Sequence, residues 1–234
     1  MQSYGQDKFV PMNFWTKLLS PKWARVLQDL LNDKSTNDLI STIGSYYKTK
    51  DLCPDQKDVF RAFKEVDYSN LKVVIIGQDP YHDGKSACGL AFANSMDKQG
   101  VSPSLKRILN ETPNKGYFTD KNLSNWTSQG VLLLNTALTV EKGKPGSHVD
   151  LWKNFTKNTI TSISNSTSGL IFMLWGAHAQ SYKSCINENL HYILEAEHPV
   201  AGAYQGRTWQ SNDCFDKAND ILLKNNGVDF IINW

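Results

Sequence analysis

Short apolar runs rich in branched side chains recur along the later two-thirds of the chain, separated by segments with a helical apolar period. Four of these runs are the length of strands and cover residues 72–76, 131–134, 170–174 and 192–194. Continuous apolar runs are typical of parallel strands that are buried on both faces. Alternation with helical segments implies right-handed crossovers. The pattern therefore predicts a three-layer α/β fold, with a four-stranded parallel sheet and helices on both faces.

The first 70 residues contain no such run and show a helical period instead. Ser20 and Pro21 predict a cap and a first-turn proline, and an apolar helix face follows them. That face comprises Trp23, Val26, Leu27, Leu30 and Leu31. We expect a single domain over residues 1–234, made of a helical N-terminal part (1–70) and an α/β core (71–234).

Residues that could build a site, most of them polar, stand where the predicted strands end. Gln78 and Asp79 follow the first strand, Asn135 the second, 175–176 the third and His198 the fourth. Each has an ordinary explanation as a turn former or a loop histidine. The carboxyl ends of parallel strands, however, meet at one edge, which is where α/β proteins bind ligands. We therefore predict an active site at this edge.

Composition sets the broader limits. A chain of 234 residues is long enough for one large domain or two small ones, and a net charge of +2 permits a polyanionic partner without requiring one. No apolar run approaches the length that crosses a membrane, and the N-terminus lacks the pattern of a secretory signal. Four scattered cysteines indicate free thiols. We expect a cytoplasmic protein, or a nuclear one if the source is eukaryotic or viral.

The residue types at the predicted edge narrow the chemistry. Asp79 and His198 lack the companion ligands of a metal site, so we expect no metal. Neither a phosphate-binding loop nor a nucleophilic serine elbow occurs. An amide such as Asn135 together with a ring such as Phe92 or Tyr81 can hold a planar base. A carboxylate opposite a histidine fits cleavage of a bond between a sugar and a base.

Ser104 precedes an apolar helical pattern and is predicted to be the N-cap of that helix. Because helix N-termini bind phosphate readily, Ser104 is a candidate phosphate contact. A cap with no further role explains it equally well.

The segment Gly77-Gln78-Asp79-Pro80-Tyr81-His82 resembles the water-activating motif of the family 1 uracil-DNA glycosylases. Further similar blocks extend over most of the chain and lie at 56–60, 132–136, 146–148, 174–176, 198–199 and 215–219. The resemblance implies the fold of that family and base excision repair of DNA. Its members hydrolyse the N-glycosidic bond of deoxyuridine without a cofactor and leave an abasic site. It also implies a monomer whose partners are single- or double-stranded DNA containing uracil and a DNA-mimicking inhibitor protein.

The resemblance also implies a role for each residue at the edge. Asp79 matches the residue that orients the attacking water, and His198 matches the neutral imidazole that donates to uracil O2. Asn135 matches the amide that reads N3 and O4 of uracil. Phe92 matches the ring that stacks on the base, and Tyr81 the ring that leaves no room for the methyl group of thymine.

Further contacts are implied by position. Gln78 corresponds to a backbone N–H that donates to uracil O2, and Ser104 to a residue that holds a phosphate. The matched blocks also imply DNA contacts at His148, Gly176 and Ala177. Ala177 stands where many members have a serine.

One segment departs from the family. The usual His-Pro-Ser-Pro-Leu-Ser, whose leucine enters the helix beside the flipped nucleotide, is here His198-Pro199-Val200-Ala201-Gly202-Ala203. Either the substrate is already single-stranded, or another side chain replaces the leucine. Tyr204, Arg207 and Trp209 have sufficient reach. We favour Arg207 or Tyr204, because we expect Trp209 to pack within the loop.

Two alternative functions remain. A non-catalytic DNA-binding homologue, acting as an accessory subunit in replication, would retain the fold, but pure binding requires neither Asp79 nor His198. Hydrolysis of free nucleosides would require a pocket that is indifferent to phosphates. Release of uracil from an oligonucleotide separates these alternatives.

Overall fold

The computed structural model describes residues 18–114, 120–201 and 206–234. Its main sheet contains β2 (Val73–Gly77), β3 (Val131–Asn135), β5 (Ile171–Trp175) and β6 (Tyr192–Ala196). The strands are parallel, and their order is β3-β2-β5-β6. The chain runs from β2 to β3 on one side and later returns to the other side of β2. The four predicted strands and the parallel sheet are thus confirmed.

Burial shows why these strands have no polar alternation. Every residue of β2, β3 and β5 is buried. Successive side chains of a strand point to opposite faces, so complete burial means that both faces are covered. Strand β6 lies at the edge and is only partly buried. Two further short strands, β1 (Leu52–Cys53) and β4 (Val140–Glu141), pair antiparallel to each other.

The N-terminal part is helical, as predicted, but its first apolar stripe does not form one continuous helix. The Ser20 hydroxyl accepts from the amide of Trp23 and caps α1 (Pro21–Val26), as expected. Leu27 then separates α1 from α2 (Gln28–Asn32), and α3 (Lys34–Thr49) follows. These helices belong to the same hydrophobic cluster as the sheet. The predicted single domain is consistent with this packing, although its boundaries stay a prediction.

The remaining elements surround the sheet. They are α4 (Arg61–Glu65), α5 (Pro103–Glu111), α6 (Ser124–Ser128), α7 (Val149–Ser166), α8 (Ala177–Gln180) and α9 (Cys214–Asn226), with 3₁₀ turns at Gln56–Asp58, Tyr68–Asn70, Lys183–Cys185 and Val228–Phe230. The alternating pattern predicted a helical segment between β5 and β6. The structure corrects this to the single turn α8 and the 3₁₀ turn Lys183–Cys185.

In the described ranges, no helix is both long and apolar enough to cross a membrane.

Candidate active site

The carboxylate of Asp79 lies just past the carboxyl end of β2 and is fixed by the backbone. Its Oδ2 accepts a hydrogen bond of 2.6 Å from the amide of Gly146. Gly146 adopts a φ of +77°, which favours glycine at this position. Among the described residues no hydrogen bond engages Oδ1 of Asp79, which is thus available to a water molecule. The side chain is therefore oriented before any substrate binds.

The two peptides that precede Asp79 are also held in place. The carbonyl of Gly77 accepts from the amide of Thr136 at 3.0 Å, and the carbonyl of Gln78 accepts from the amide of Ala137 at 2.8 Å. The Thr136 hydroxyl donates to the same Gln78 carbonyl at 2.8 Å. Because a trans peptide points its N–H opposite its C=O, the N–H groups of Gln78 and Asp79 point away from β3.

His178, on α8, belongs to this network and was not found from the sequence. Its Nε2 lies 2.7 Å from the Thr136 hydroxyl, which already donates to the Gln78 carbonyl, so Nε2 is the donor of this bond. Burial lowers the pKa of His178, although the nearby charge of Asp79 opposes this effect. A histidine shortly after the end of β5 was the only signal in the sequence.

His198 follows β6, and its ring is held in one tautomer. Nδ1 accepts from the amide of Val200 at 3.3 Å, so the proton of the neutral ring is on Nε2. Burial lowers the pKa of His198, and the neighbouring His178 lowers it further. The ring is therefore neutral near pH 7 and offers an N–H donor. A Cβ on Gly176, at φ +89°, would lie 2.7 Å from Cβ of His198, so glycine is required for this approach.

Asn135 is the last residue of β3 and faces the end of β2. It is 6% exposed. A Cβ on its strand neighbour Gly77 would lie only 2.3 Å from Asn135 Oδ1. The missing side chain at Gly77 therefore gives the Asn135 amide its position at the edge of the sheet.

Two rings complete the site. Phe92 has a φ of +63°, a strained value for an aromatic residue, and the hydroxyl of Tyr81 donates to the Phe92 carbonyl at 3.0 Å. The Phe92 ring lies 5.5 Å from that of Trp175 and 6.2 Å from that of His198, measured between centroids. Burial raises the pKa of Tyr81, which remains a neutral donor.

These side chains surround one cavity of about 340 Å³. That volume is within the range of small-molecule sites. Seven predicted residues line it, namely Gln78, Asp79, Tyr81, Phe92, Ser104, Asn135 and His198. Pro145 and Val200 also contribute to its wall. Residues at the ends of β2 and β3 and just after β6 thus meet at one cavity, whereas residues 175–176, at the end of β5, do not line it.

Ser104 lies at the cavity but is not the N-cap. Helix α5 begins at Pro103, so Ser102 is the N-cap and Ser104 is the second helical residue. Ser102 makes no side-chain cap, because its hydroxyl accepts from Nδ2 of Asn94 at 2.8 Å. The side chain of Ser104 is therefore not needed as a cap, and a phosphate contact remains compatible with its position.

The predicted DNA contacts outside the cavity have different environments. His148 is 3% exposed, and its Nδ1 lies 2.9 Å from the Thr139 hydroxyl. The structure corrects the prediction of a DNA contact for this ring, because the ring is buried and its hydrogen bond goes to Thr139 in the interior. Gly176 is buried, and its amide donates to Ala196 at 2.9 Å. Ala177 is exposed at the start of α8.

The segment after His198 is described in part. Tyr204 lies outside the described residues. Arg207 is exposed, and its Nη1 lies 3.6 Å from Oε2 of Glu197. Trp209 is 2% exposed, its indole N–H donates to the Glu197 carbonyl at 2.7 Å, and its ring lies 5.1 Å from that of Trp175. The packing role anticipated for Trp209 is confirmed.

Within the three described ranges, no group of three or more His, Cys, Asp or Glu side chains is arranged to hold a metal ion.

Comparison with known proteins identifies the family. Residues 63–223 match the Uracil DNA glycosylase superfamily. A uracil-DNA glycosylase of Amoebophilus asiaticus is 36% identical over 220 residues, which cover 92% of this chain and 98% of the relative. One from Borreliella burgdorferi is 40% identical over 215 residues, 89% of this chain and 95% of the relative. The crystal structure of mimivirus uracil-DNA glycosylase, 25% identical, has a TM-score of 0.82 and covers 96% of this chain and 90% of that one.

None of these relatives supports the alternative of a non-catalytic homologue. The matched segment contains every residue that lines the cavity, and the matched relatives extend over most of the chain. The chain belongs to the uracil-DNA glycosylase superfamily.

Proposed function

We propose that this chain hydrolyses the N-glycosidic bond of deoxyuridine in DNA, with Asp79 and His198 on opposite sides of the reacting bond. The observation that carries the proposal is the shared cavity of Asp79, Asn135, Phe92 and His198. It combines a carboxylate, a base-reading amide, a stacking ring and a neutral N–H donor. These are the groups that cleavage of a flipped nucleotide requires.

The reaction separates charge, and each side of the site suits one charge. As the bond between C1′ and N1 breaks, positive charge develops on the sugar, and the bonding electrons leave with uracil as an anion. The Asp79 carboxylate faces the sugar and orients the water whose oxygen attacks C1′. The N–H of His198 and the N–H of Gln78 donate to uracil O2, where the negative charge accumulates. The proton lost by the attacking water passes to Asp79 or to solvent.

Recognition of the base is assigned to Asn135 and the two rings. The Asn135 amide donates its NH₂ to uracil O4 and accepts from N3–H through its carbonyl. The Phe92 ring stacks on the base, and Tyr81 occupies the space that a 5-methyl group would need. The burial of Asn135 supports this assignment, because an unpaired polar group of the wrong base would remain without a partner in the cavity.

Asn135→Asp should lower uracil release and introduce some release of cytosine. Cytosine carries a donor at position 4 in place of the acceptor, and a carboxylate accepts where the amide donates. Both effects can be measured by chromatography of the free bases. The substrates are matched oligonucleotides that contain one U or one C. If this variant still releases only uracil, then residues other than Asn135 discriminate between uracil and cytosine.

An incision assay tests the proposed activity. The purified chain is incubated with a uracil-containing oligonucleotide and a chelator, and alkali then cleaves the strand at any abasic site. We expect cleavage at the uracil position only. Activity on deoxyuridine but not on the oligonucleotide would favour hydrolysis of free nucleosides.

The altered loop is assigned a substitute wedge, either Arg207 or Tyr204. Flipping a base from a duplex costs a few kcal/mol, which an inserted side chain offsets in part. Alanine at the wedge position should reduce activity on a U:A duplex much more than activity on the same sequence as a single strand. Gln210→Ala, an exposed change in the same segment, is the matched control. If Arg207→Ala and Tyr204→Ala each lose activity equally on the duplex and on the single strand, the result would favour a preference for single-stranded DNA.

The remaining assignments concern partners and location. Two solved structures similar to this chain are mimivirus UNG variants in complex with UGI. We assign to this chain a similar susceptibility to a DNA-mimicking inhibitor protein and a monomeric state. Light scattering with and without that inhibitor tests both assignments. Free cysteines at four positions support a reducing compartment such as the cytoplasm, which cell fractionation tests.

A further inference from the structure

A second cavity of about 510 Å³ lies between helix α5 and the segment 206–209. Pro103, Lys106 and Arg107 contribute to its helical wall. We call this cavity the α5 groove.

The α5 groove lies next to the active-site cavity. Pro103 lines the groove, whereas the next residue, Ser104, lines the active-site cavity. The opposite wall, 206–209, belongs to the same stretch of chain as His198 and Val200, which line the active-site cavity. A polymer that places one unit in the active-site cavity therefore meets this groove as it leaves.

The charges of the groove favour an anion. Neither Lys106 nor Arg107 forms an ion pair with any described residue. Several other cations in the chain do, for example Lys98 with Asp83 and Lys144 with Glu141.

Among the described residues that line the groove one is a carboxylate, Glu111, and it forms no ion pair with Lys106 or Arg107. Oε2 of Glu111 accepts from the amide and the hydroxyl of Ser211, both at 3.2 Å. The Glu111 carboxylate is thus held by another segment, which leaves Lys106 and Arg107 without an ion-pair partner among the described residues.

We propose that the α5 groove binds backbone phosphates of the DNA strand on one side of the flipped nucleotide, through Lys106 and Arg107. The inference rests on the proposed function, because the strand must leave the active-site cavity in both directions. Lysine and arginine contacts to phosphates position a strand without reading its sequence. The groove therefore affects how much flanking DNA contributes to binding and leaves the choice of base unchanged.

The double variant Lys106→Gln/Arg107→Gln tests the proposal, with Lys157→Gln/Lys224→Gln as the matched control. Both pairs combine one exposed and one half-buried cation without an ion pair among the described residues. Lys157 and Lys224 lie beyond the first turns of α7 and α9, outside both cavities. The substrates are single strands with uracil near the 5′ end, near the 3′ end, or in a minimal oligonucleotide with almost no flanking DNA.

For the double variant we expect a higher KM with an unchanged kcat on only one of the two long substrates. The dependence of log(kcat/KM) on log[salt] should become shallower by about 1.4, since each phosphate contact on a single strand contributes about 0.7. On the minimal substrate its kinetics should equal those of the unmodified chain, which also shows that it is folded. The control pair should behave as the unmodified chain on all three.

Equal kinetics of the double variant and the unmodified chain on both long substrates would overturn the proposal. An equal loss on all three substrates would also overturn it, because the effect would then not depend on flanking DNA. Failure of the proposed function is a different result, in which the unmodified chain releases no uracil from any substrate.

Discussion

Asp79→Asn should lower the rate of uracil release by a factor on the order of 10²–10⁴, the range for a positioned acid–base group. The amide preserves the shape of the side chain and can still accept from Gly146, so the fold and uracil binding should remain. It removes the negative charge proposed to face the sugar and the oxygen proposed to orient the water. Single-turnover kinetics with excess enzyme separate this loss from any change in binding.

A control for Asp79 exists within the same part of the chain. Asp97 is an exposed carboxylate that does not line the active-site cavity. Asp97→Asn removes the same charge from the protein and should leave the single-turnover rate unchanged. Comparable turnover in both variants would remove the proposed role of Asp79.

His198→Leu should cost a comparable factor, about 10²–10³, as for the loss of one donor to a developing anion. Leucine retains bulk beside Phe92 but has no N–H for uracil O2. The effect should fall on the rate of bond cleavage, measured under single-turnover conditions, more than on the affinity for DNA.

His178 provides the comparison for this variant. His178→Leu removes a histidine that contacts Thr136 and does not line the active-site cavity. It should disturb the Gln78 peptide and cost less than His198→Leu. A smaller loss in His198→Leu than in His178→Leu would contradict the assignment of His198 as the donor.

The strands and their terminal residues could be predicted because their signal is local. Strands β2 and β5 are apolar at every position, and β3 is apolar up to its last residue, Asn135. The parallel arrangement brings Asp79, Asn135 and His198 to one edge. Geometry of this kind follows from the topology alone, without knowledge of side-chain contacts.

The errors arose where tertiary contacts override local signals. Ser104 has the sequence of a cap, but the cap position is Ser102, two residues earlier, and the hydroxyl of Ser102 accepts from Asn94. His148 was placed at the DNA, whereas Thr139 binds it in the interior. His178 escaped notice because its role depends on the hydroxyl of Thr136, a residue 42 positions away in the sequence.

The central claim is that the cavity of Asp79, Asn135, Phe92 and His198 releases uracil from DNA. The most direct measurement is the identity of the free base released by the purified chain from oligonucleotides that differ only in carrying U, T or C at one position. We predict stoichiometric release of free uracil from the first and no base from the other two. No free uracil, or thymine and cytosine at rates similar to that of uracil, would contradict this account.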